Sequence, residues 1–360
     1  MNKQSFSMNK NAIIIEDIKM IADRLDKAAE QFSGKTILIT GGLGFLGRYI
    51  VNTFLYLNKD KLKKPTKIIV VDNYITSTNV RLNLFARKKY LRFKKHNIIK
   101  PLKISGPIDY IIHAAGLASP LYYQKYPLET IDVAVTGTRN MLELAKQKKV
   151  KSILFFSSSE IYGDPPPQEI PTKESFRGNV SSTGERSCYD ESKRLGETLC
   201  MTYFRLYKTP VKFVRPFNVF GPGMRENDNR VIPNFLYNAL SHKPIGVHLN
   251  GKQTRAFCYI ADAVTGFFQV LLSSGNGEVY NVGNDEIELN MNQLAQHVKK
   301  IFEKKVTILN IPYPKNYPLG EPQRRCPDLT KIKKLGYKPT FNLETGLKRT
   351  LQWCKDNWTL

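Results

Sequence analysis

A strand-like run followed at once by three regularly spaced glycines limits the fold of this chain more than any other feature. Residues 35–41 read Lys-Thr-Ile-Leu-Ile-Thr-Gly, which predicts a short buried strand, and residues 48–57 predict a helix. Between them Gly41, Gly44 and Gly47 form the pattern GxxGxxG. Glycines at this spacing permit a tight turn and let a pyrophosphate approach the backbone at the helix N-terminus. The sequence therefore predicts a dinucleotide site here; a glycine-rich turn without a ligand is the alternative.

A carboxylate ends the next predicted strand, which covers residues 67–72. Asp72 follows the last glycine of the motif by about 25 residues. A carboxylate at this place accepts hydrogen bonds from the ribose 2′-hydroxyl and repels a 2′-phosphate. We therefore expect NAD rather than NADP as the cofactor.

Strands and helices continue to alternate along the first two thirds of the chain. Further strands are predicted at 109–113, 152–157 and 211–215, and further helices at 138–148 and 188–206. This alternation indicates an α/β protein with a Rossmann-type, doubly wound parallel sheet. After residue 220 turns become frequent, so we expect a smaller α+β C-terminal lobe for the substrate, with segments that return to the first domain.

Three domain ranges follow from this pattern. We predict an N-terminal extension at 1–33 with an amphipathic helix over 13–32, an NAD-binding domain at 34–220, and a mainly substrate-binding lobe at 221–360.

Composition excludes several other classes of protein. With 41% hydrophobic residues the chain can form a sizeable core, and no apolar run is long enough for a transmembrane helix. Its N-terminal stretch lacks the pattern of a signal peptide. Five widely spaced cysteines without a CxxC pair predict reduced thiols, no metal site and a cytoplasmic protein. The net charge of +24 is compatible with a nucleic acid, a membrane surface or an anionic small substrate as the partner.

Tyr189 and Lys193 lie four residues apart and therefore on one face of a predicted helix. A nearby ammonium group stabilises tyrosinate, so we expect the pKa of Tyr189 to be lowered. The phenol could then remove a hydroxyl proton during hydride transfer. The stretch Ser157–Gly163, which ends a predicted strand, should lie close by, because ligands bind at the carboxyl ends of strands in such sheets.

Taken together, these motifs resemble those of the extended short-chain dehydrogenase/reductase family, the NAD-dependent epimerases and dehydratases of nucleotide sugars. They are the glycine motif, Asp72-Asn73, His113-Ala-Ala, the YxxxK pair and Arg215-Pro-Phe-Asn218. Within the family, five stretches are most similar to decarboxylases of UDP-glucuronate: 158–165, 186–194, 227–231, 253–257 and 322–328. The resemblance implies a Rossmann-type fold, NAD as the cofactor and a homodimer.

The resemblance also implies roles for individual residues. Those implied to be catalytic are Ser159, Glu160, Tyr189, Lys193 and Arg325. Those implied to bind the cofactor are Gly41, Gly44, Phe45, Leu46, Gly47, Asp72, Asn73, Asn97, Ile98 and Ala114, together with Tyr189 and Lys193. Those implied to bind the substrate are Ser119, Tyr122, Asn218, Arg230, Arg255 and Arg325.

The implied reaction is oxidation of UDP-glucuronate at C4 followed by loss of CO₂, giving UDP-xylose or its 4-keto intermediate. Arg325 would hold the sugar carboxylate, because its planar fork matches that group. Ser159 stands where the related 4,6-dehydratases carry an acidic Asp, and Glu160 stands where the 4-epimerases carry a small or uncharged residue. Both residues argue against those two reactions, which remain the alternatives. The basic charge leaves a more remote alternative, a non-catalytic NAD-bound protein that binds nucleic acid, although no aromatic–basic RNA motif is visible. We therefore expect no nucleic-acid partner and no membrane partner.

Overall fold

The computed structural model describes residues 10–76, 84, 88–226, 228–286, 288–302, 306–313 and 322–359. Its centre is a seven-stranded sheet in which all neighbouring strands are parallel. The strands of this sheet are β1 (Thr36–Thr40), β2 (Lys67–Asp72), β3 (Leu91–Lys95), β4 (Tyr110–His113), β5 (Ser152–Phe156), β6 (Val211–Pro216) and β11 (Glu278–Val282). Across the sheet they follow the order β11-β6-β5-β4-β1-β2-β3. The predicted parallel α/β sheet is confirmed.

The strand order reverses between β1 and β4. From β1 the chain continues to β2 and β3 on one side of β1, and β4 then lies on the opposite side of β1. Thr40 at the end of β1 pairs with Val71 of β2 and with His113 of β4. A crevice opens at such a reversal, outside the carboxyl ends of the strands, and open α/β sheets bind their ligands there. This is also where the glycine motif lies.

Helices cover both faces of the sheet. They are α1 (Ala12–Leu25), α2 (Phe45–Asp60), α3 (Pro120–Lys125), α4 (Pro127–Asp132), α5 (Thr138–Lys148), α6 (Ser187–Tyr207), α7 (Val231–Leu240), α8 (Ile260–Leu272), α9 (Met291–Ile301), α10 (Thr330–Lys333) and α11 (Leu343–Asn357). Two separate clusters of buried apolar side chains fill the spaces on the two sides of the sheet. The sheet is therefore buried on both faces, as its nearly continuous apolar strands require.

The N-terminal helix is shorter than the sequence pattern indicates. It is α-helical only over Ala12–Leu25, because Asp26 has a φ of 42°, and a 3₁₀ segment continues to Phe32. The apolar face of α1 is buried against α2 and α8. The ring of Phe32 meets those of Phe54 and Phe268 edge to face. This part of the predicted extension belongs to the main core; residues 1–9 lie outside the described residues.

Beyond residue 220 the chain adds β11 to the central sheet and completes three small sheets. Their strands are β7 (Val219–Phe220) with β10 (Cys258–Tyr259), β8 (Ile245–His248) with β13 (Ile308–Ile311), and β9 (Thr254–Ala256) between β12 (Glu288–Asn290) and β14 (Arg324–Arg325). In the last of these sheets Arg325 and Arg255 are directly paired in register. This pairing brings two arginines from distant parts of the chain side by side.

Candidate active site

The glycine motif forms a close turn between β1 and α2. Gly41 has a φ of 71°, and a Cβ atom at this residue would lie 2.7 Å from the backbone of Ala115. A Cβ at Gly47 would lie 2.2 Å from the carbonyl oxygen of Gly41. Gly44 is the N-cap of α2 and has no side chain to cap the first backbone N–H groups of the helix. The turn thus leaves room and backbone donors for an anionic group, as a bound pyrophosphate needs.

Asp72 is held rigidly at the carboxyl end of β2. Its Oδ2 accepts a hydrogen bond from the backbone N–H of Leu43 (3.0 Å), and its Oδ1 accepts one from the N–H of Tyr74 (2.9 Å). A cavity of about 100 Å³ lies beside it. The residues of the predicted cofactor set that line this cavity are Gly41, Gly44, Asp72, Asn73, Asn97, Ile98 and Ala114. This glycine cradle with a fixed carboxylate beside it fits a dinucleotide.

The remaining predicted cofactor residues have different surroundings. Gly47 lies beneath the turn, where its missing side chain allows close packing. Phe45 begins α2, and Leu46 lines a second, larger cavity. That cavity has a volume of about 310 Å³ and shares Ala114 and Gly116 with the first. The two cavities are therefore neighbours along the carboxyl edge of the sheet.

Most of the predicted catalytic and substrate residues line the larger cavity. They are Ser159, Glu160, Tyr189, Lys193, Asn218, Arg230, Arg255 and Arg325. Ser119 and Tyr122 are not part of its wall. The hydroxyl of Tyr122 instead accepts a hydrogen bond from Nη1 of Arg225 (2.7 Å).

Tyr189 and Lys193 face the same side of α6, as their spacing predicts. The Nζ atom of Lys193 donates to the backbone carbonyl of Phe156 (2.7 Å) and lies 5.9 Å from the centre of the Tyr189 ring. Burial lowers the pKa of Lys193 to about 8. Burial also raises the pKa of Tyr189 to about 12, although a hydrogen bond with Ser158 partly opposes this. The expected lowering of the Tyr189 pKa is thus wrong for the protein alone, because desolvation of the phenolate outweighs the hydrogen bond with Ser158 and the charge of Arg186.

Glu160 lies between two arginines that come from separate elements. It belongs to the 3₁₀ turn after β5, Arg186 directly precedes α6, and Arg325 belongs to β14. Both arginines donate through Nη2 to the same carboxylate oxygen, Oε2, at 2.6 Å from Arg186 and 2.7 Å from Arg325. Burial by itself raises the pKa of Glu160, but the charges of Arg325, Arg186 and Arg255 outweigh it and lower the pKa well below its usual range. Glu160 is therefore ionised at neutral pH.

Three further predicted residues of the wall, Asn218, Arg230 and Arg255, are also held by hydrogen bonds to neighbouring groups. Asn218 has a φ of 37° and donates through Nδ2 to the carbonyl of Ala256 (3.0 Å). Arg230 precedes α7 and is held by Asp228, whose Oδ1 accepts from its Nε at 3.0 Å. Arg255 is buried and donates through Nη1 to the carbonyl of Thr254 (2.8 Å).

Sequence reasoning assigned no role to Arg186 or Asp190 in this region. Arg186 and Tyr123 line the larger cavity, and Asp190 lies one helical turn after Arg186. The i,i+4 spacing of an arginine and an aspartate within the quoted stretch 186–194 is a signal that could have indicated the pair.

Two kinds of feature are absent from the described part of the chain. No group of three or more His, Cys, Asp or Glu side chains there is arranged to hold a metal ion. No helix among those residues combines the length and the apolar character that crossing a membrane requires.

The fold and these two cavities define a dinucleotide-dependent α/β enzyme, and comparison with known proteins identifies its family. Residues 37–283 match the NAD dependent epimerase/dehydratase family. The chain is 38% identical over 316 residues to UDP-glucuronic acid decarboxylase 5 of Arabidopsis thaliana, covering 88% of each chain. It is 37% identical to UDP-glucuronic acid decarboxylase 1 of Danio rerio, covering 89% of this chain and 72% of the relative.

Solved structures give the same result at lower identity. A UDP-N-acetylglucosamine 4-epimerase from Methanobrevibacter ruminantium has a TM-score of 0.77 and 25% identity, covering 89% of this chain and 98% of the other. A dTDP-glucose 4,6-dehydratase from Streptomyces venezuelae, solved with NAD bound, has the same TM-score and identity and covers 89% and 97%. The chain belongs to the NAD-dependent epimerase/dehydratase family, and its cofactor is NAD.

Proposed function

We propose that this enzyme decarboxylates UDP-glucuronate, giving UDP-xylose or the 4-keto pentose that precedes it. The observation that carries the proposal is the buried cluster of Arg325, Glu160 and Arg186 in the wall that also contains Tyr189 and Lys193. A sugar with a carboxylate needs a cationic group beside the oxidation site, and this wall supplies one. Relatives at 38% identity carry the corresponding name.

The cofactor would be held by the glycine turn and the carboxylate of Asp72. Phe45, Leu46 and Gly47 form the start of the helix below it, and Asn73, Asn97, Ile98 and Ala114 form the side walls. When bound, NAD would supply the acceptor of the C4 hydride, and the hydride would return to C4 only where UDP-xylose is the product.

Tyr189 would take the proton of the C4 hydroxyl. In the protein alone its pKa is about 12, so the phenolate must be stabilised before it can act as a base. The Lys193 ammonium and the positive charge of the oxidised nicotinamide both favour the phenolate. Base strength therefore develops only in the assembled site.

Arg325 would orient the sugar carboxylate, and CO₂ would leave from the 4-keto acid. The electrons of the broken C5–C6 bond pass to the C4 ketone as an enolate, and Ser159 can donate a hydrogen bond to its oxygen. Glu160 remains ionised, so we assign it the role of fixing Arg325 and positioning water rather than of donating a proton itself. A proton from the water positioned by Glu160 would then add to C5, which converts the enolate into the 4-keto pentose.

The nucleotide part would lie toward Asn218, Arg230 and Arg255. Each of these side chains lines the larger cavity and is anchored by a neighbouring group. Ser119 and Tyr122 are sequence neighbours of Ala118, Pro120 and Tyr123 in the same wall, so a substrate in the cavity would lie near them.

The decisive experiment is incubation of the NAD-loaded enzyme with UDP-glucuronate, UDP-glucose, dTDP-glucose and CDP-glucose, followed by mass spectrometry. We expect a loss of 44 mass units from UDP-glucuronate alone, which is CO₂. Loss of 18 units from a glucose nucleotide would establish dehydration instead, and an isomer of unchanged mass would establish epimerisation. Tyr189→Phe should lower turnover by about 10²- to 10⁴-fold, whereas Tyr207→Phe, an exposed tyrosine on the same helix, should not.

We also propose a homodimer that buries one face of α4 and α6. Four large apolar side chains on these helices are exposed: Leu128, Ile131, Leu195 and Leu206. Light scattering should give twice the chain mass of 41.2 kDa, and Leu195→Glu should give a monomer. A monomeric wild-type protein would contradict this.

A cytoplasmic location is the further part of this proposal. All five cysteines are free thiols, four of them buried, which is expected in a reducing compartment. Cell fractionation with an antibody against the chain tests the location directly.

A further inference from the structure

Arg186, in the wall of the larger cavity, connects two carboxylates. Its Nη2 donates to Oε2 of Glu160 at 2.6 Å, and its Nε lies 3.7 Å from Oδ2 of Asp190. Arg325 binds the same oxygen of Glu160 from the other side. Asp190, Arg186, Glu160 and Arg325 thus form a chain of alternating charges, which we call the charge chain. Its arginines and Asp190 are nearly inaccessible to solvent.

Aromatic rings connect this chain to the proposed base. The guanidinium carbon of Arg186 lies 5.8 Å from the centre of the Tyr123 ring. The Tyr123 ring stacks on that of Tyr189, with centres 5.4 Å apart and planes 18° from parallel. A displacement of Arg186 would therefore change its hydrogen bond with Glu160 and, through Tyr123, the packing of Tyr189.

The two arginines and two carboxylates of the charge chain balance formally, and the neighbouring Arg255 adds a third positive charge. Arg186, Arg325 and Arg255 all act on Glu160, and the carboxylates of Asp190 and the more distant Glu191 reach this cluster from α6. Burial raises the pKa of Asp190 well above its usual range, and the charge of Glu160 adds to this, while Arg186 and Arg325 oppose it. The cluster therefore carries an excess of positive charge that an anionic sugar group can balance.

We propose that Arg186 and Asp190 are positioning residues that make the site selective for a carboxylated sugar: Asp190 holds Arg186, and Arg186 and Glu160 together orient Arg325. This inference rests on the proposed decarboxylation. An arginine with no carboxylate beside it would bind the sugar acid tightly before and during the reaction alike. Such uniform binding does not speed the loss of CO₂. The two protein carboxylates weaken the hold of Arg325 on the acid and fix its direction.

The test compares binding of two sugar nucleotides that differ at one position. UDP-glucuronate carries the carboxylate, and UDP-glucose carries a hydroxymethyl group in its place. Calorimetry with the NAD-loaded enzyme should show that Arg186→Gln weakens UDP-glucuronate binding by about tenfold or more and UDP-glucose binding by less than about threefold. A general packing defect would weaken both equally, and that result would overturn the inference.

Asp190→Asn keeps the shape of the side chain and removes its charge. We expect it to bind UDP-glucuronate at least as tightly as the wild type, to release CO₂ at least about tenfold more slowly, and to change the pH profile of kcat. The control is Glu191→Gln, one residue further along the helix, whose side chain is 40% exposed and pairs with Arg194. It should leave binding and turnover unchanged.

The outcomes separate this inference from the proposed function. If the wild type releases no CO₂ from UDP-glucuronate, the proposed decarboxylation is wrong and the inference falls with it. If the wild type does release CO₂ but Asp190→Asn has wild-type turnover and a wild-type pH profile, only the positioning role is wrong. Asp190→Asn decides the matter alone if Arg186→Gln fails to fold.

Discussion

The two cavities of the active site differ in how far apart their wall residues lie along the chain. Described wall residues of the cofactor cavity fall between Gly41 and Val133, within successive strand–helix units at one edge of the sheet. Those of the larger cavity range from Leu46 to Arg325 and come from helices, small sheets and loops of both halves of the chain. The first cavity is therefore a local property of the parallel sheet, whereas the second depends on the whole fold.

The two cavities also differ in charge. Among its described wall residues the cofactor cavity has the carboxylates of Asp72 and Glu129 and no lysine or arginine. The larger cavity has four arginines and Lys193 against the carboxylate of Glu160. Because these cations lie within the protein, they attract an anionic sugar nucleotide far more strongly than the scattered surface lysines do. Only this small part of the net charge of +24 is thus assigned to function.

The largest expected effect is on catalysis, and it should distinguish two adjacent arginines, one buried and one exposed. The Arg325 side chain is 8% exposed and bonds Glu160, whereas the Arg324 side chain is 45% exposed and pairs with Glu288. Arg325→Ala should lower kcat/KM for UDP-glucuronate by about 10³-fold, since it leaves a buried carboxylate with one partner fewer. Arg324→Ala should stay within about threefold.

NAD affinity should be unchanged in both arginine variants, because neither side chain lines the cofactor cavity. Steady-state kinetics and NAD titration measure the two quantities separately. Equal losses of turnover in the two variants would show that β14 supports the fold and that Arg325 has no separate role in catalysis.

The difference between the cavities explains what the sequence could predict. The runs at β1, β2, β4, β5 and β6 are apolar and β-branched, so the strands could be predicted to within about one residue of each end. The edge strand β3 was not predicted, because its sequence Leu-Arg-Phe-Lys-Lys is largely exposed and has no apolar run. Strand β11 was missed as well, since its sequence Glu-Val-Tyr-Asn-Val has no continuous apolar run and lies in a turn-rich region.

The candidate site was predictable only where spacing along one helix decides the contact. Tyr189 and Lys193 are such a pair, and the structure has them on one side of α6. Glu160 and Arg325 are 165 residues apart in sequence and meet because β14 pairs with β9. The raised pKa of Tyr189 was missed for a related reason: burial depends on tertiary packing, which no local pattern records.

The second largest expected effect is on stability, and it concerns the contacts by which α1 joins residues beyond position 220. Asp17 of α1 accepts hydrogen bonds from the hydroxyls of Tyr49 (3.1 Å) and Tyr259 (2.8 Å) and from Arg349 (2.8 Å). Its side chain is inaccessible, whereas that of Glu16, which also pairs with Arg349, is 59% exposed. Asp17→Ala should lower the free energy of unfolding by about 3 kcal/mol. Glu16→Ala should lower it by less than about 1 kcal/mol.

The same carboxylate predicts a pH dependence of stability. Burial raises the pKa of Asp17 to about 6, although Arg349 and the two tyrosines oppose the rise. Between about pH 4 and pH 6 the folded chain therefore keeps a proton that the unfolded chain has lost, so stability falls as the pH rises through this range. Relative to Asp17→Asn, the wild type should lose about 3 kcal/mol of unfolding free energy across it. Parallel curves for the two proteins in urea titrations would refute the assignment.

The smallest expected effect on stability comes from comparing Gly47, in the cofactor turn, with Gly106, where a side chain would have space. A Cβ at Gly47 would meet the carbonyl of Gly41 at 2.2 Å, whereas a Cβ at Gly106 would meet nothing within 4 Å. Gly47→Ala should cost about 2 kcal/mol of unfolding free energy and weaken NAD binding by about tenfold or more, because the turn must open to accept the methyl group. Gly106→Ala should cost about 1 kcal/mol, since its φ of 82° strains any other residue, and should bind NAD normally. If Gly47→Ala bound NAD as tightly as the wild type does, the close packing of this turn would not be required for NAD binding. NAD binding would then depend on Asp72 and the strand ends alone.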